Sequence, residues 1–171
     1  MSLLNSQNDL VRQFLKACEV DDLDTVQQLI KIQHAPTADS RSNDWLPLHT
    51  ALYNRAVRVA DYLLSQPNVD VNQTTRNQQK TSPLHLAAWR CPDYPKILER
   101  LIDAGAQINR RDGYGQTALH DAAYHGNTRC VEVLLRRGID ASARNLRGYT
   151  AAQRAKANRH LKCAEMIQGF M

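Results

Sequence analysis

Apolar residues recur along the chain in paired helical patterns that are separated by polar turns. In the best preserved copy, TALHDAA from Thr117 opens a first helix, and the stretch 128–135 carries apolar residues at helical spacing in a second. Gly138 follows that second helix and Gly105 holds the same place one copy earlier, as expected for residues that accept positive φ at a helix end. The pattern predicts a unit of turn, helix, loop and helix.

Copies of this unit run through most of the chain. The opening motif appears as LPLHTA from Leu46, SPLHLAA from Ser82 and TALHDAA from Thr117, with a degraded copy, TAAQRAK, from Thr150. A segment near the N-terminus keeps only the second half of the unit. The first small residue of each copy follows its predecessor by 34, 36, 35 and 33 residues. These residues are Ala17, Ala51, Ala87, Ala122 and Ala155.

A period near 33 with a T-P-L-H-x-A core resembles the ankyrin repeat, and the resemblance covers residues 10–171. It implies an all-α fold, an ankyrin-repeat solenoid of stacked helix-turn-helix units joined by β-hairpin-like turns. We expect a single ankyrin-repeat domain over residues 1–171. Its repeats are expected at about 8–40, 41–76, 77–111, 112–144 and 145–171, the first and last being caps. Two capped ends favour a complete folding domain, although a piece of a longer chain would have the same pattern.

The motif residues also make sense as local structure. A hydroxyl residue can cap a helix and Pro is tolerated at its first position, so Ser82-Pro83 predicts a firm start. Leu46-Pro47 keeps only the proline and predicts a weaker one. Recurring leucines and small pairs are expected in the core, as are Phe14 and Tyr62. Core positions by this spacing are Leu48, Leu84, Leu119, Ala87-Ala88 and Ala122-Ala123.

Two segments depart from the repeat. The third repeat has WRCPDYP from Trp89 where the fourth has YHGNT, which adds two residues and two prolines between its helices. We expect this loop to bulge. The polar stretch from His34 to Asp44 is expected to be an irregular linker.

Composition and charge narrow the class of protein. Hydrophobic residues make up 43% and charged residues 23%, which favours a folded domain over disorder. No apolar run approaches the roughly 18 residues of a membrane span, and the N-terminus does not resemble a secretory signal. The net charge of +5 divides into −1 over residues 1–85 and +6 over residues 86–171. The basic half predicts either attraction of acidic partners or a solvated helix face. We expect an intracellular protein, cytoplasmic or nuclear or both.

Candidate catalytic or metal chemistry is weak. His49, His85 and His120 recur once per repeat, which predicts hydrogen bonding between repeats; at ~10 Å apart they could not share one zinc ion. No CxxC pair occurs, so free thiols are expected, with Cys91 exposed. The other three cysteines, Cys18, Cys130 and Cys163, are expected in the core. We expect no enzyme, no cofactor, no metal and no small-molecule substrate.

The resemblance implies that a partner meets the turns and the exposed side of the first helices. Six of the ten aromatic residues fall on this surface, and aromatic and arginine side chains are typical of binding hot spots. We expect the partner-binding residues to be Trp45, Tyr53, Trp89, Arg90, Arg111, Tyr114, Tyr124, His125, Arg144, Arg147 and Tyr149. The favoured function is a non-catalytic protein–protein interaction module for an acidic or phosphorylated segment. Single-stranded nucleic-acid binding and a regulatory fragment of a larger protein are the alternatives.

Overall fold

The computed structural model describes the backbone of residues 2–33, 46–67 and 69–171, and the side chains of 9–31, 46–67 and 69–171. Within these ranges the chain is all-α, as predicted, with one isolated bridge between Arg144 and Thr150. The predicted linker His34–Asp44 and the candidate residue Trp45 lie outside the described residues. No helix in the described ranges has the length and apolar character needed to cross a membrane. The chain divides into two compact units, residues 1–70 and 71–171.

The first unit contains four helices: α1 (Ser2–Glu19), α2 (Leu23–Gln33), α3 (Pro47–Tyr53) and α4 (Val57–Leu64). The α1 helix packs on α2 and α3, and Phe14 is buried as expected. Asp22 begins α2 by accepting the backbone N–H of Thr25 at 3.1 Å and its hydroxyl at 2.6 Å, and these hydrogen bonds lower the pKa of the Asp22 carboxyl. Tyr62 is only half-buried, so its assignment to the core was wrong.

The second unit contains three helical hairpins. Their helices are α5 (Pro83–Arg90), α6 (Lys96–Asp103), α7 (Ala118–Tyr124), α8 (Thr128–Arg136), α9 (Ala151–Ala157) and α10 (Leu161–Gln168). The first helices α5, α7 and α9 pack in succession, and α8 contacts both α6 and α10 behind them. The pairs Ala87-Ala88 and Ala122-Ala123 are fully buried, which lets the first helices approach closely. Leu84 and Leu119, like Leu48 in the first unit, occupy the core positions predicted for them.

The turns that precede the first helices of the fourth and fifth repeats share one hydrogen-bond pattern. In the fourth repeat, Oδ1 of Asp112 accepts the backbone N–H groups of Tyr114 and Gln116, both at 2.8 Å. In the fifth, Oδ1 of Asn145 accepts those of Arg147 and Tyr149 at 3.0 and 3.1 Å. Asx residues stabilise turns in this way, so the predicted polar turns are confirmed at these two places.

Neighbouring turns in this unit are joined through their backbones. Gly113 donates its N–H to the carbonyl of Gln79 at 2.7 Å, and Leu146 donates to the carbonyl of Tyr114 at 3.0 Å. A Cβ atom at Gly113 would lie 1.9 Å from the carbonyl oxygen of Gln78. The turns therefore approach each other as closely as they do only because position 113 is glycine.

The recurring histidines link each first helix to the turn of the next repeat. Nε2 of His85 lies 3.0 Å from the carbonyl oxygen of Gln116, and Nε2 of His120 lies 3.0 Å from that of Tyr149. A carbonyl oxygen only accepts hydrogen bonds, so Nε2 carries the proton in both rings. The structural role predicted for these two histidines is confirmed.

The other ring nitrogen of each histidine faces the start of its own helix. Nδ1 of His120 accepts the backbone N–H of Thr117 at 3.2 Å. The hydroxyl of Ser82, which was expected to cap backbone amides, lies 2.6 Å from Nδ1 of His85 and donates to it instead. Burial is the main cause that lowers the pKa of both His85 and His120, which favours these neutral rings.

The inter-helix loop of the third repeat has five residues, 91–95, against three, 125–127, in the fourth, as predicted. Cys91, however, is buried, so the expectation of an exposed thiol was wrong. The reason is that its N–H still bonds to the carbonyl of Ala87 at 3.1 Å, so Cys91 continues the helix end and the added residues come after it. None of the four cysteines, all of which lie in the described ranges, forms a disulfide, and all four are buried. Burial raises the pKa of Cys18 and Cys130 to about 12.

Replacing Gly113 by Ala tests the close approach of the turns. We expect Gly113→Ala to lower the free energy of unfolding by about 2–4 kcal/mol, because the new methyl group must push the backbone at Gln78 away. Gly148→Ala is the matched control: its φ of +80° costs about 1 kcal/mol, but nothing lies within 4 Å of its Cβ position. Urea unfolding measures both. Equal losses would contradict the close approach.

Replacing His120 by Gln tests the neutral imidazole. The pKa of His120 is lower in the folded chain than in the unfolded chain, so the unfolded state binds a proton first as the pH falls below about 6.5, and stability falls with it. Between pH 7.5 and 5.5 this ring accounts for up to about 1 kcal/mol of lost unfolding free energy, the limit for a ring that stays neutral in the folded chain. His120→Gln should reduce the loss by that amount in urea unfolding at the two pH values.

Glutamine is a suitable replacement because Gln153 occupies the same position in the fifth repeat. Its Oε1 accepts the N–H of Thr150 at 2.9 Å, much as Nδ1 of His120 does for Thr117. Other titrating groups are common to both proteins and cancel in the comparison. An unchanged pH dependence in the variant would show that His120 is not the ring that resists protonation.

Candidate functional site

A groove of 590 Å³ opens in the second unit between the turns and the first helices of the fourth and fifth repeats. We call it the tyrosine groove. Its lining residues are Tyr114, Gln116, Tyr124, Asn145, Leu146, Arg147, Tyr149, Gln153, Arg154, Ala157 and Asn158. The turns supply one wall, and the α7 and α9 helices supply the other.

Large apolar side chains are exposed in this groove. Leu146 is 75% exposed, Tyr114 and Tyr149 are each 52% exposed, and Tyr124 is 40% exposed. The turn wall is held by the fold: Asp112 fixes the backbone of Tyr114, and His120 holds the carbonyl group of Tyr149. The fold therefore presents these side chains to solvent on a backbone that is fixed.

A row of stacked side chains continues from the groove along the ends of the first helices. The guanidinium of Arg154 lies 4.3 Å from the ring centre of Tyr124, and that ring meets His125 edge-on at 4.9 Å. His125 stacks on Trp89 at 5.4 Å, and Arg90 lies 5.2 Å from the Trp89 ring. Partial burial, followed by nearby positive charge, lowers the pKa of His125. These contacts are typical of cation–π and aromatic pairs.

The electrostatic character of the groove is positive. Arg147 and Arg154 line it, and no lining residue is acidic. Two carboxyl groups interact with lining residues. Asp112 accepts three N–H groups of its own turn, from Tyr114 and Gln116. Asp121 is half-buried as a residue, but desolvation of its carboxyl group and then the charge of Asp112 raise the pKa of Asp121 to about 8, against the effect of Arg154. At neutral pH the groove therefore keeps its positive charge.

The structure gathers part of the predicted surface and assigns other residues elsewhere. Four of the predicted residues line the groove: Tyr114, Tyr124, Arg147 and Tyr149. Three form the adjoining row: Trp89, which is half-buried, Arg90 and His125. Tyr53 belongs to the first unit and is half-buried.

Two predicted arginines hold turns together. Arg111 donates to the carbonyl of Arg144 at 2.5 Å, and Arg144 donates to the carbonyl of Gly148 at 2.8 Å. Both remain exposed, so they contribute charge to the turn surface while their guanidinium groups are engaged by the backbone.

The predicted set omitted the α9 residues of the groove, Gln153, Arg154, Ala157 and Asn158. Their spacing from Thr150 of three, four, seven and eight residues is that of one helix face, and this signal could have identified them. Also unforeseen were asparagine ties between neighbouring loops. Asn72 donates to the carbonyl of Gly105 at 2.9 Å and accepts the N–H of Gln107 at 2.8 Å.

Comparison with known proteins adds a family and several relatives. The family described as ankyrin repeats (3 copies) matches residues 14–112 and 84–169. The human espin-like protein is 42% identical over 72 residues, 42% of this chain and 7% of that protein. The ankyrin repeat domain-containing protein SAT10 of Stachybotrys chartarum is 32% identical over 121 residues, 70% of this chain and 6% of that protein. The mouse B-cell lymphoma 3 protein homolog is 32% identical over 114 residues, 61% of this chain and 24% of that protein. The chain thus spans less than a quarter of the length of these relatives.

Proposed function

Because the chain belongs to the ankyrin repeat family, whose repeats are general protein–protein interaction modules, we propose that it is a non-catalytic module that binds a segment of another protein in the tyrosine groove. Adaptor, inhibitor and scaffold roles all need this one property. The chain covers only a small part of its relatives, so the same module could regulate a larger protein that contains it.

The observation that carries this proposal is the grouping of Tyr114, Leu146 and Tyr149 in water. Burying large exposed rings contributes strongly to binding, and tyrosine loses little rotational freedom when it is buried. Solubility alone would not favour three such side chains around one groove. A partner that buries these side chains would bind more tightly, because their apolar surface is exposed to water in the free chain.

Charge supports an acidic or phosphorylated partner segment. Arg147 and Arg154 line the groove, and Arg111 and Arg144 lie exposed on its turns. A surface of one sign increases the encounter rate with partners of the opposite sign and makes that rate sensitive to salt.

A peptide-display selection on the immobilised chain tests the proposed function. We expect selected peptides to lose at least about tenfold in affinity for Tyr114→Ala/Tyr149→Ala, since each ring is worth about 1 kcal/mol or more at a hot spot. Phe170→Ala is the matched control, because it removes an exposed ring from outside the groove. Its affinity should stay within about twofold of the wild type.

Thermal unfolding of the same proteins separates binding from folding. The tyrosine variant should melt within about 3 °C of the wild type, because its rings are exposed. Selected peptides that bind both proteins equally would place the site elsewhere. A loss of affinity that only matches a large loss of stability would mean that the rings hold the fold together.

A further inference from the structure

The polar side chains that the fold itself uses determine what the tyrosine groove offers to a partner. Oδ1 of Asn145 accepts the N–H groups of Arg147 and Tyr149, so the NH₂ group of Asn145 is the end left for a ligand. Oε1 of Gln153 accepts the N–H of Thr150 at 2.9 Å, which leaves the NH₂ group of Gln153. Backbone N–H groups fix the orientation of both amides, so both present donors.

The two arginines of the groove add positively charged donors. The guanidinium carbon of Arg154 lies over the Tyr124 ring, 4.3 Å from its centre. A guanidinium that packs on an aromatic ring in this way can still donate hydrogen bonds to a carboxylate. Arg147 is exposed on the turn of the fifth repeat. Among the described residues neither guanidinium pairs with a carboxylate. The pair therefore provides two positive charges, one on the turn and one on α9.

Neutral acceptors are also present. Gln116 donates through Nε2 to Asp112 at 3.3 Å, and Asn158 donates through Nδ2 to the carbonyl of Arg154 at 2.9 Å. The oxygens of these two amides are left as acceptors in the groove. A peptide backbone has an N–H group at almost every residue to donate to them, whereas the DNA backbone has no hydrogen-bond donor and the RNA backbone has only its 2′-hydroxyl groups. This difference favours a peptide as the occupant.

Two backbone amides at the start of α9 are already bonded within the helix, which removes them as donors to a phosphate group. Phosphate sites often use the open amides at a helix N-terminus. At α9 the amide of Gln153 is taken by Oγ1 of Thr150 at 3.3 Å, and that of Arg154 by the carbonyl of Thr150 at 3.0 Å. What remains is two guanidinium groups on different elements, each able to take one carboxylate in a bidentate manner.

Resting on the proposed function, we propose that the tyrosine groove selects an extended peptide in which acidic residues flank one large apolar side chain. Arg147 and Arg154 take the carboxylates, and the NH₂ groups of Asn145 and Gln153 take peptide carbonyl oxygens. Leu146, whose N–H bonds to the carbonyl of Tyr114, packs on the apolar side chain. Gln153 is then a specificity residue whose other end caps α9.

Fluorescence anisotropy with defined peptides tests this selectivity. The probes are a labelled peptide of sequence Gly-Glu-Glu-Phe-Glu-Glu-Gly and its counterpart with Gln in place of every Glu. We expect the acidic peptide to bind the whole chain at least about tenfold more tightly than the Gln peptide. Arg147→Gln/Arg154→Gln should lose at least about tenfold in affinity for the acidic peptide, while its thermal midpoint stays near that of the wild type.

The matched control removes the same charge from another surface. Arg129→Gln/Lys162→Gln takes two exposed positive charges from the second unit, from side chains that do not line the groove. It should stay within about threefold of the wild type, the range of a long-range charge effect. An equal loss in both double variants would mean that net charge, rather than the groove arginines, attracts the peptide.

Other outcomes separate this inference from the proposed function. Equal binding of the Glu and Gln peptides, both lost in Tyr114→Ala/Tyr149→Ala, would overturn the acidic selectivity and keep the groove as a binding site. Failure of the acidic peptide where display-selected peptides still bind would overturn the inference alone. A phosphoserine analogue that binds tenfold more tightly, or a labelled oligothymidylate that displaces the acidic peptide, would replace carboxylate recognition by phosphate or nucleic-acid recognition.

Discussion

The second unit depends on a hydrogen bond from a buried imidazole to the carbonyl group of the next turn. His85 and His120 each occupy the third position of a first helix, face the residue before that helix through Nδ1, and reach the following repeat through Nε2. One ring thus ties a helix start to a turn about one repeat away along the chain. Because the ring is buried and the bond is partly buried, the bond is stronger than in water and losing it would leave a polar group unsatisfied. The carbonyl held by His120 belongs to Tyr149, so the same contact that joins two repeats also positions a wall of the groove.

Features that repeat along the chain could be predicted from the sequence, because each copy has the same residue type at the position that plays the same structural part. The core leucines, the small pairs, the polar turns and the role of His85 and His120 all follow from one repeating pattern. Features that need a specific neighbour could not be predicted. Cys91 is buried because its N–H continues the hydrogen bonding of the α5 helix. Arg111 and Arg144 donate to backbone carbonyls that lie near them only in the folded turns. The Ser82 hydroxyl likewise donates to the His85 imidazole rather than accepting a backbone amide.

The sequence predicted the types of residue in the candidate site but not the full set of residues that line it. Tyr114, Tyr124 and Tyr149 are among the six aromatic residues that the sequence placed on the expected partner surface, and all three line the groove. The α9 residues of the groove were missed because the fifth repeat has Gln153 at the motif position that is histidine in earlier repeats. Gln153 still accepts the N–H of Thr150, the residue before the helix. The substitution matters for function as well as for folding. His85 and His120 bond through Nε2 to the carbonyl of the next turn, whereas the side-chain NH₂ group of Gln153 lies at the groove. The hydrogen bond from Thr150 to Oε1 of Gln153 at the start of α9 thus determines that the groove has the NH₂ group of Gln153 as a donor.

The most direct test of the central contact is the tautomer of each buried histidine. A two-dimensional nitrogen–proton NMR spectrum that correlates ring nitrogens with ring protons reports which nitrogen carries the proton. The structure predicts that His85 and His120 are neutral at pH 7, with the proton on Nε2 and Nδ1 acting as acceptor. A proton on Nδ1 alone, or on both nitrogens, would contradict the account, because Nε2 or the backbone N–H of Thr117 would then lose its partner.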